Sequence, residues 1–320
     1  MSLPKPLLAA VVAACLVAGT ALALRGDDAS PEPAPATEAR DYGVPRVTPR
    51  LEGRLVDTIG VVSFNAWRLL GRSGAQADWD RISSKPEVDL IGWQESKSEV
   101  WADLYPDYRA RGWETWHWPD VDGPRSVAVS WRARTFELLD VDYTKVHDGG
   151  HPSETDAPFP ARWVVQVSLR HRETGLTVTL LNTHVNQTIE TGHGWDEGLN
   201  AEMARLHYRT LSRMYDGAEG DVVLGTGDYN WDYADDSEYR PEGGISHTVD
   251  HHAQSSYEVL GLDGVPPTQG TRWIDYVWIA DASVRRRDWS GTAQFAKHRS
   301  LGGFASDHRP LLARVRLYGG

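Results

Sequence analysis

Six clusters of polar residues stand beside short apolar runs in the sequence, and they contain the residue types that catalytic sites use. Four of them are Ser63-Phe64-Asn65-Ala66-Trp67, Gly92-Trp93-Gln94-Glu95, Asn182-Thr183-His184-Val185-Asn186 and Gly225-Thr226-Gly227-Asp228-Tyr229-Asn230. The two nearest the C-terminus are Arg272-Trp273-Ile274-Asp275-Tyr276 and Ser306-Asp307-His308-Arg309-Pro310. Carboxylate and amide oxygens bind hard divalent cations, while histidines transfer protons or donate hydrogen bonds. Together these residues could hold a metal ion and perform acid–base chemistry.

Each cluster alone is a weak signal. Asp-His pairs and Asn-Thr-His triplets occur by chance, and an Asp at the end of a strand is more often a turn former. Their placement is more informative, because a strand end holds a side chain rigidly at the rim of a sheet, where catalytic groups usually lie.

The elements that would position these clusters are mainly short β-strands. Apolar, β-branched runs predict eight strands: Ile59–Asn65, Val88–Gln94, Ser126–Trp131, Trp163–Leu169, Leu176–Thr183, Val222–Gly227, Trp273–Ala280 and Leu311–Leu317. The clearest helix is predicted at about Leu199–Tyr215, with Leu199, Met203, Leu206 and Met214 near helical spacing. Alternating strands and helices predict an α/β domain.

From about Ile59 to about Val315, the six clusters and their strand contexts resemble the endonuclease/exonuclease/phosphatase superfamily. That family includes pancreatic-type deoxyribonucleases, abasic-site endonucleases, bacterial sphingomyelinases and inositol-phosphate phosphatases. The resemblance implies two packed mixed β-sheets flanked by helices, a four-layer α/β sandwich. It also implies a metal-dependent phosphoric ester hydrolase.

The resemblance assigns Mg²⁺ ligands to three residues, with Mn²⁺ or Ca²⁺ as alternative ions. Glu95 is similar to the main ligand of the family, Asn65 stands beside it, and Asp307 is a further ligand. A small number of oxygen donors, with the remaining positions left to water and phosphate, suits Mg²⁺.

The resemblance also assigns catalytic roles. Asp228 and Asn230 would orient the attacking water and hold the scissile phosphate. His308 would be the general base or a donor to a phosphate oxygen, and Asp275 would hydrogen-bond its ring and set its tautomer. His184 would donate to a non-bridging oxygen or assist the leaving group.

Some features of particular subfamilies are missing. Tyr229 stands where the family usually has Phe, which is a conservative change. No Lys-rich insertion of the abasic-site type follows Asn65, and the Arg and Cys-Asp-Arg patterns of the inositol phosphatases are absent from the sequence. Both subfamilies are therefore disfavoured.

Substrate choice should depend on loops around the site. We predict substrate contacts for Asn186, Trp116, Trp195 and Trp231. The Trp-rich segment 112–119 could stack on bases or lie at a lipid interface, and the alternative is a hairpin with half its rings in the core.

The polar segment 231–254 has two interpretations. Its residues His247, Asp250, His251 and His252 have metal-ligand chemistry. Adjacent side chains in an extended loop point apart, however, so His251 and His252 would rarely share an ion. A solvated polar loop is therefore the favoured interpretation over a second metal site.

Bulk composition fits one globular enzyme of ordinary core size. The chain has 320 residues, 40% of them apolar, and a net charge of −12. That charge does not favour a general polyanion binder, although a local cation site can offset it.

The N-terminus predicts export. An apolar run from Leu7 to Leu24 follows Lys5, so residues 1–25 fit a signal peptide, with a retained membrane anchor or lipidation at Cys15 as alternatives. Cys15 is the only cysteine, so a processed chain would have no disulfide. Residues 26–50 predict a disordered linker, and 51–320 predict the catalytic domain.

These observations predict a secreted phosphodiester hydrolase, monomeric and without an obligate protein partner. A nuclease is the first interpretation of its activity. The alternatives are a sphingomyelinase or phospholipase C acting on a phospholipid head group, a phosphomonoesterase, and a binding module that kept the fold without the chemistry.

Overall fold

A computed structural model describes residues 53–97, 99–120, 123–150, 159–191, 193–286 and 290–319. The predicted signal peptide or anchor at 1–25, Cys15 and the predicted linker at 26–50 lie outside the described residues, and the domain boundary near residue 51 stays a prediction. Across the described ranges, no helix combines the length and apolarity that crossing a bilayer would need.

The described residues form two six-stranded sheets. The first consists of β1 (Leu55–Asn65), β2 (Leu90–Gln94), β3 (Trp113–Trp116), β4 (Val127–Arg132), β11 (Ala293–Ser300) and β12 (Leu311–Tyr318). The second consists of β5 (Phe136–Gly150), β6 (Phe159–His171), β7 (Thr177–His184), β8 (Val222–Asp228), β9 (Ala253–Ser255) and β10 (Asp275–Ala280). Their orders are β11-β12-β1-β2-β4-β3 and β5-β6-β7-β8-β10-β9. Each contains one parallel pair, β1 with β2 and β7 with β8, so both sheets are mixed as predicted.

Helices cover the outer faces of the sheets. They are α1 (Arg72–Ser83), α2 (Glu99–Arg109), α3 (Leu199–Gly217), α4 (Tyr233–Tyr239), α5 (Ile245–Thr248) and α6 (Ser256–Leu260), with a 3₁₀ turn at Val249–His251. Strand β1 shows how the layers form: Val61 belongs to the core between the sheets, and Val62 to the core under α1 and α2. Burial on both faces explains why this strand is continuously apolar.

Buried polar side chains join the two sheets near the rim. On β7, the Asn182 amide donates to the carbonyls of Trp93 (2.8 Å) and Ala128 (2.9 Å) in the other sheet. Its oxygen accepts from Gln94 (2.8 Å) and from the Thr226 hydroxyl (3.0 Å). All four hydrogen-bonding positions of this buried amide are therefore used, which sets the height of β2 against β7 and β8.

The eight predicted strands are all present, with boundaries within a few residues. The sequence missed β3, β5, β9 and β11 and the helices α1 and α2. The core face predicted for α3 is wrong: Leu199, Met203, Leu206 and Met214 are only partly buried. The fully buried positions are offset from them, and include Ala204, Tyr208, Leu211 and Tyr215.

Candidate active site

The strand ends bring the predicted clusters to one edge of the sandwich. Asn65 ends β1, Glu95 directly follows β2, His184 ends β7 and Asp228 ends β8. Strand β10 is antiparallel to β8 and begins at Asp275, which pairs directly with Asp228. The carboxyl ends of four strands and the amino end of β10 therefore meet at a single rim.

An open polar cavity of about 430 Å³ lies at this rim. Seven of the eight residues predicted to be catalytic or metal-binding line it: Asn65, Glu95, His184, Asp228, Asn230, Asp307 and His308. The eighth, Asp275, is completely buried beneath His308. The structure thus gathers side chains that are separated by up to about 240 residues in the sequence.

Asp228 lies at the centre of the site and is 2% exposed. Its Oδ2 accepts a hydrogen bond from the Asn65 side chain at 2.9 Å, and its Oδ1 accepts from the backbone N–H of Asn230 at 2.9 Å. The Nε2 atoms of His184 and His308 lie 3.5 Å and 3.9 Å from Oδ2. Burial raises the pKa of this carboxyl to about 7, against the opposing effect of His308.

His308 and Asp275 form a buried pair. The Nδ1 atom of His308 lies 2.8 Å from Oδ2 of Asp275, which is the contact the sequence predicted. Burial lowers the pKa of His308, but the charges of Asp275, Asp228 and Asp307 outweigh it and raise the pKa to about 9. In the absence of metal and substrate, the ring is thus set up to carry a proton and to donate from Nε2.

His184 has the opposite electrostatic character. It is 5% exposed, and burial together with the charges of Arg162 and His308 holds its pKa well below the ordinary value. Its Nε2 lies 3.3 Å from the side-chain nitrogen of Asn230. His184 is therefore neutral at physiological pH and can act as a hydrogen-bond partner rather than as a cation.

Glu95 and Asn65 also line the cavity and present oxygen atoms to it. The Glu95 side chain is 15% exposed, and it accepts a hydrogen bond from the Arg68 backbone at 3.0 Å. The Asn65 oxygen accepts from the Trp67 backbone at 3.0 Å and keeps a second lone pair. Asp307 is exposed at the mouth. This all-oxygen set fits a hard divalent cation.

A second group could hold a metal by distance alone, because ligand atoms of Asp228, Asp275 and His308 lie within 4.8 Å of one another. The Asp275–His308 contact at 2.8 Å is already a hydrogen bond, however, and an ion there would have to break it. The oxygen-only side at Glu95 is the better match to Mg²⁺ chemistry.

The backbone around the cavity is strained. Among the described residues, five non-glycine residues have positive φ, and four of them line this cavity: Trp67, Glu95, Thr188 and Asn230, with φ between 50° and 59°. A left-handed backbone conformation costs free energy in a residue other than glycine. Such conformations are found mostly at functional sites, where the backbone has to hold a side chain in one orientation.

Sequence reasoning missed the buried Arg162 on β6. The residue is 6% exposed, and its Nε has no hydrogen-bond partner in the described structure. Burial lowers its pKa to about 10, while Asp228 and Glu95 act in the opposite direction. The sequence did contain one signal for it. Arg162 directly precedes the predicted strand Trp163–Leu169 and stands two residues before Val164, so an extended chain places both side chains on the same face.

Two of the predicted substrate contacts, Trp231 and Asn186, have buried side chains. Trp231 is 1% exposed, and its indole N–H donates to Asp236 at 3.1 Å, so the ring belongs to the core. Asn186 is completely buried, and its amide donates to the backbone of Asn200 at 2.6 Å. Neither side chain has surface to offer to a substrate.

The other two predicted contacts, Trp195 and Trp116, do not line the cavity. Trp195 packs against Trp231, with ring centroids 4.3 Å apart, and donates to the backbone of Glu242. Trp116 lies on β3, half-buried beside Tyr143. Their roles in substrate binding stay predictions.

Segment 231–254 is more ordered than the predicted solvated loop, because it forms α4, α5 and the 3₁₀ turn. His247 and His251 are exposed, whereas His252 contacts Asp216 at 2.8 Å. The histidines are thus not directed towards one ion, and no metal-binding group is found in the described part of this segment.

Comparison with solved structures identifies the fold. An endonuclease/exonuclease/phosphatase from Bacteroides vulgatus superposes with a TM-score of 0.60 at 17% identity, covering 82% of this chain and 100% of that one. The catalytic domain of human nocturnin, with a bound sulfate anion, gives 0.58 at 16%, covering 85% and 100%. A mannosyl-6-phosphatase from Bacteroides thetaiotaomicron gives 0.53 at 14%, covering 80% and 99%. No family model and no curated protein sequence matches the chain. The chain has the fold of the endonuclease/exonuclease/phosphatase superfamily.

Proposed function

We propose that this protein is a metal-dependent phosphoesterase that hydrolyses phosphodiester bonds by in-line attack of water. The observation that carries the proposal is the convergence of Asn65, Glu95, Asp228, Asn230 and His308 on one open cavity. The shared fold with phosphoesterases supports it, and the filled catalytic positions argue against a binding module that lost the chemistry.

The metal of the proposal is Mg²⁺, held by Glu95 and Asn65 with Asp307 at the mouth. When bound, it would neutralise charge on the phosphate and on the departing oxygen. Phosphodiester anions repel nucleophiles, so hydrolysis needs this neutralisation before water can approach.

The protein's own residues supply position and protons. Asp228 is placed to orient the attacking water and to accept its proton, because its buried carboxylate lines the cavity between Asn65 and the two histidines. Asn230 and neutral His184 stand on one side of the carboxylate as hydrogen-bond partners for phosphate oxygens. His308 stands on the other side, where its Nε2 can donate to the phosphate or to the leaving group, while Asp275 fixes its ring.

The preferred substrate is a nucleic acid. The cavity wall is polar, and cationic residues adjoin it, including Arg68 and Arg272. A phosphomonoester is the second candidate, since one structural neighbour is a mannosyl-6-phosphatase. A choline phospholipid is the third, because Tyr143, at 38% exposure, and Trp116 form an aromatic surface that could meet a lipid interface.

We propose that the protein acts outside the cell, released by cleavage after the apolar run or tethered through it. Expression of the full chain in a bacterial host, followed by mass analysis of the medium and membrane fractions, tests this. A protein of full length in the cytoplasm would contradict it.

Activity is tested on the full-length protein with duplex DNA, single-stranded RNA, sphingomyelin vesicles, a sugar phosphate and a chromogenic phosphodiester. Each is incubated with Mg²⁺, Mn²⁺, Ca²⁺ or EDTA, and His308→Ala is the control. Metal-dependent cleavage of DNA or RNA that the variant lacks is the expected result. Cleavage of the sphingomyelin or sugar phosphate alone would replace the nuclease assignment, and no hydrolysis of any ester would overturn the enzyme proposal.

A further inference from the structure

A second, larger cavity adjoins the active site. It measures about 630 Å³, within the range of about 300–1,000 Å³ typical of ligand sites. Four cationic residues line it, namely Arg68, Lys97, Arg125 and Lys145, and among the described residues no Asp or Glu does. We call it the basic groove. Arg68 and Leu69 also line the active-site cavity, so the two cavities share part of a wall.

Two of the four positive charges of the groove have a carboxylate partner and two do not. In the described part of the chain, Lys97 and Arg125 form no ion pair, whereas Arg68 and Lys145 each form one. Arg68 reaches Glu95 at 3.5 Å, and Lys145 pairs with Asp148 at 2.5 Å. The Asp148 side chain is 88% exposed, so that second pair is largely solvated and weak.

Bringing these cations together has an electrostatic cost. The like charges of Arg68, Lys97, Arg125 and Lys145 lie around one cavity, where they repel one another. A chain of net charge −12 has ample carboxylates with which it could neutralise such a patch. An anion from solution would relieve the repulsion between these cations. Positive charge that the protein does not itself neutralise is what an anion-binding site requires.

One aromatic ring, that of Trp163, lines the groove among the described residues, and two further rings pack behind it. The Lys145 ammonium lies 5.4 Å from the centre of the Trp163 ring. Tyr143 packs edge-on against Trp163 at 5.8 Å and against Trp118 at 4.9 Å. Cations that follow a phosphate chain beside rings that accept a stacked base are the combination found at single-strand binding sites.

We propose that the basic groove is a second anion subsite of the active site, which binds a phosphate next to the scissile phosphate of the substrate. The inference rests on the proposed hydrolysis of phosphodiesters in the neighbouring cavity. It names Arg125 and Lys97 as the specificity residues for the second phosphate, which a nucleic-acid strand or a small bisphosphorylated molecule would supply.

The first test uses two matched substrates on the full-length protein: the dinucleotide dTpdT, with one phosphate, and pdTpdT, with a second at its 5′ end. Wild type should prefer pdTpdT in kcat/KM by about 10–100-fold, the usual effect of a hydrogen bond to a charged group. Arg125→Ala and Lys97→Met should bring this ratio close to one. Arg134→Ala, which removes an exposed arginine at the other end of β4, should keep it.

The second test measures binding without catalysis. A fluorescent ten-residue oligothymidylate is titrated into His308→Ala protein, with and without Arg125→Ala. The added change should weaken binding at least about tenfold and reduce the dependence of Kd on salt. Competition with fructose 1,6-bisphosphate then distinguishes the sources. A site for small bisphosphates should release the oligothymidylate when fructose 1,6-bisphosphate is added, whereas a strand site should retain it.

The two proposals can fail separately. A wild-type protein that cleaves a chromogenic diester but treats dTpdT and pdTpdT alike, with oligothymidylate binding insensitive to Arg125→Ala, overturns the subsite. A protein that cleaves no ester but loses binding in Arg125→Ala keeps the subsite and overturns the proposed hydrolysis.

Discussion

The Oδ2 atom of Asp275 lies 2.8 Å from the Nδ1 atom of His308, and both side chains are buried. This contact leaves only Nε2 of the ring facing the cavity. Because Asp275 cannot itself reach a substrate, it acts by orienting the ring and stabilising its charge. We therefore expect Asp275→Asn to lower kcat by about 10²–10⁴-fold with a much smaller change in KM.

The matched control is Asp275→Asn in the background of His308→Ala. If Asp275 acts through the ring, it should add almost nothing to the loss caused by His308→Ala, which steady-state kinetics on the chromogenic diester would show. A further loss of more than about tenfold in the double variant would assign Asp275 a separate role.

Glu95 provides the test of metal binding. Its side chain lines the cavity, and it accepts a hydrogen bond from the Arg68 backbone and lies 3.5 Å from the Arg68 guanidinium. Glu95→Ala should raise the apparent Kd for Mg²⁺ by more than about tenfold, and excess Mg²⁺ should restore part of the activity. Isothermal titration of the metal and activity against Mg²⁺ concentration measure both effects.

A matched comparison is Asp307→Ala. Since Asp307 is exposed at the cavity mouth, its effect on Mg²⁺ affinity should be the smaller of the two. If Glu95→Ala lost activity while its Mg²⁺ affinity was unchanged, the metal site would have to be assigned to the group of Asp228, Asp275 and His308 instead.

The catalytic rim was predictable from sequence because each cluster follows or begins a short apolar run. Strand ends are local features, so Asn65, Glu95 and Asp228 could be placed without knowing the sheet order. Arg162 could not, because its contact with the charges of Asp228 and Glu95 depends on which strands lie across the sandwich. A single sequence contains no direct record of those neighbours.

Burial of aromatic residues was the least predictable feature. Trp231 follows the Asp-Tyr-Asn cluster and looked like a substrate contact, yet Trp195 and Tyr208 enclose it.

The strand β5 was not predicted, for a different reason. It is an edge strand with alternating charged residues, and such a pattern protects an exposed edge but lacks the apolar signature of a strand.

The close approach of the two sheets at Gly92 predicts a stability defect. A Cβ at this position would lie 2.0 Å from the Thr226 hydroxyl and 2.6 Å from the Asn182 oxygen. Gly92→Ala must therefore push the sheets apart or break the Asn182 network, at a cost of about 1–3 kcal/mol. Gly217→Ala, at the end of α3 where nothing lies within 4 Å, is the control and should be neutral or stabilising. Equal free energies of unfolding for the two variants would contradict this account.

Asp250 predicts a pH dependence of stability that is independent of the active site. Burial and the charges of Glu258, Asp236 and Asp281 raise its pKa to about 8, from 3.8 for an unperturbed group. Between these two values the folded state holds a proton that the unfolded state has lost. The free energy of unfolding therefore falls as the pH rises from about 4 to about 8, and the penalty is complete above that.

Replacing this carboxyl by a neutral amide should remove the penalty. Asp250→Asn should be more stable than wild type at pH 8, by on the order of 3 kcal/mol, and close to it at pH 4 to 5. The control is Asp263→Asn, at an exposed position, which should follow the wild-type curve. Urea denaturation at four pH values between 5 and 8 measures the difference. A constant difference in the free energy of unfolding between Asp250→Asn and wild type across that range would show that Asp250 is already ionised in the folded protein. Other contacts would then offset the cost of burying its charge.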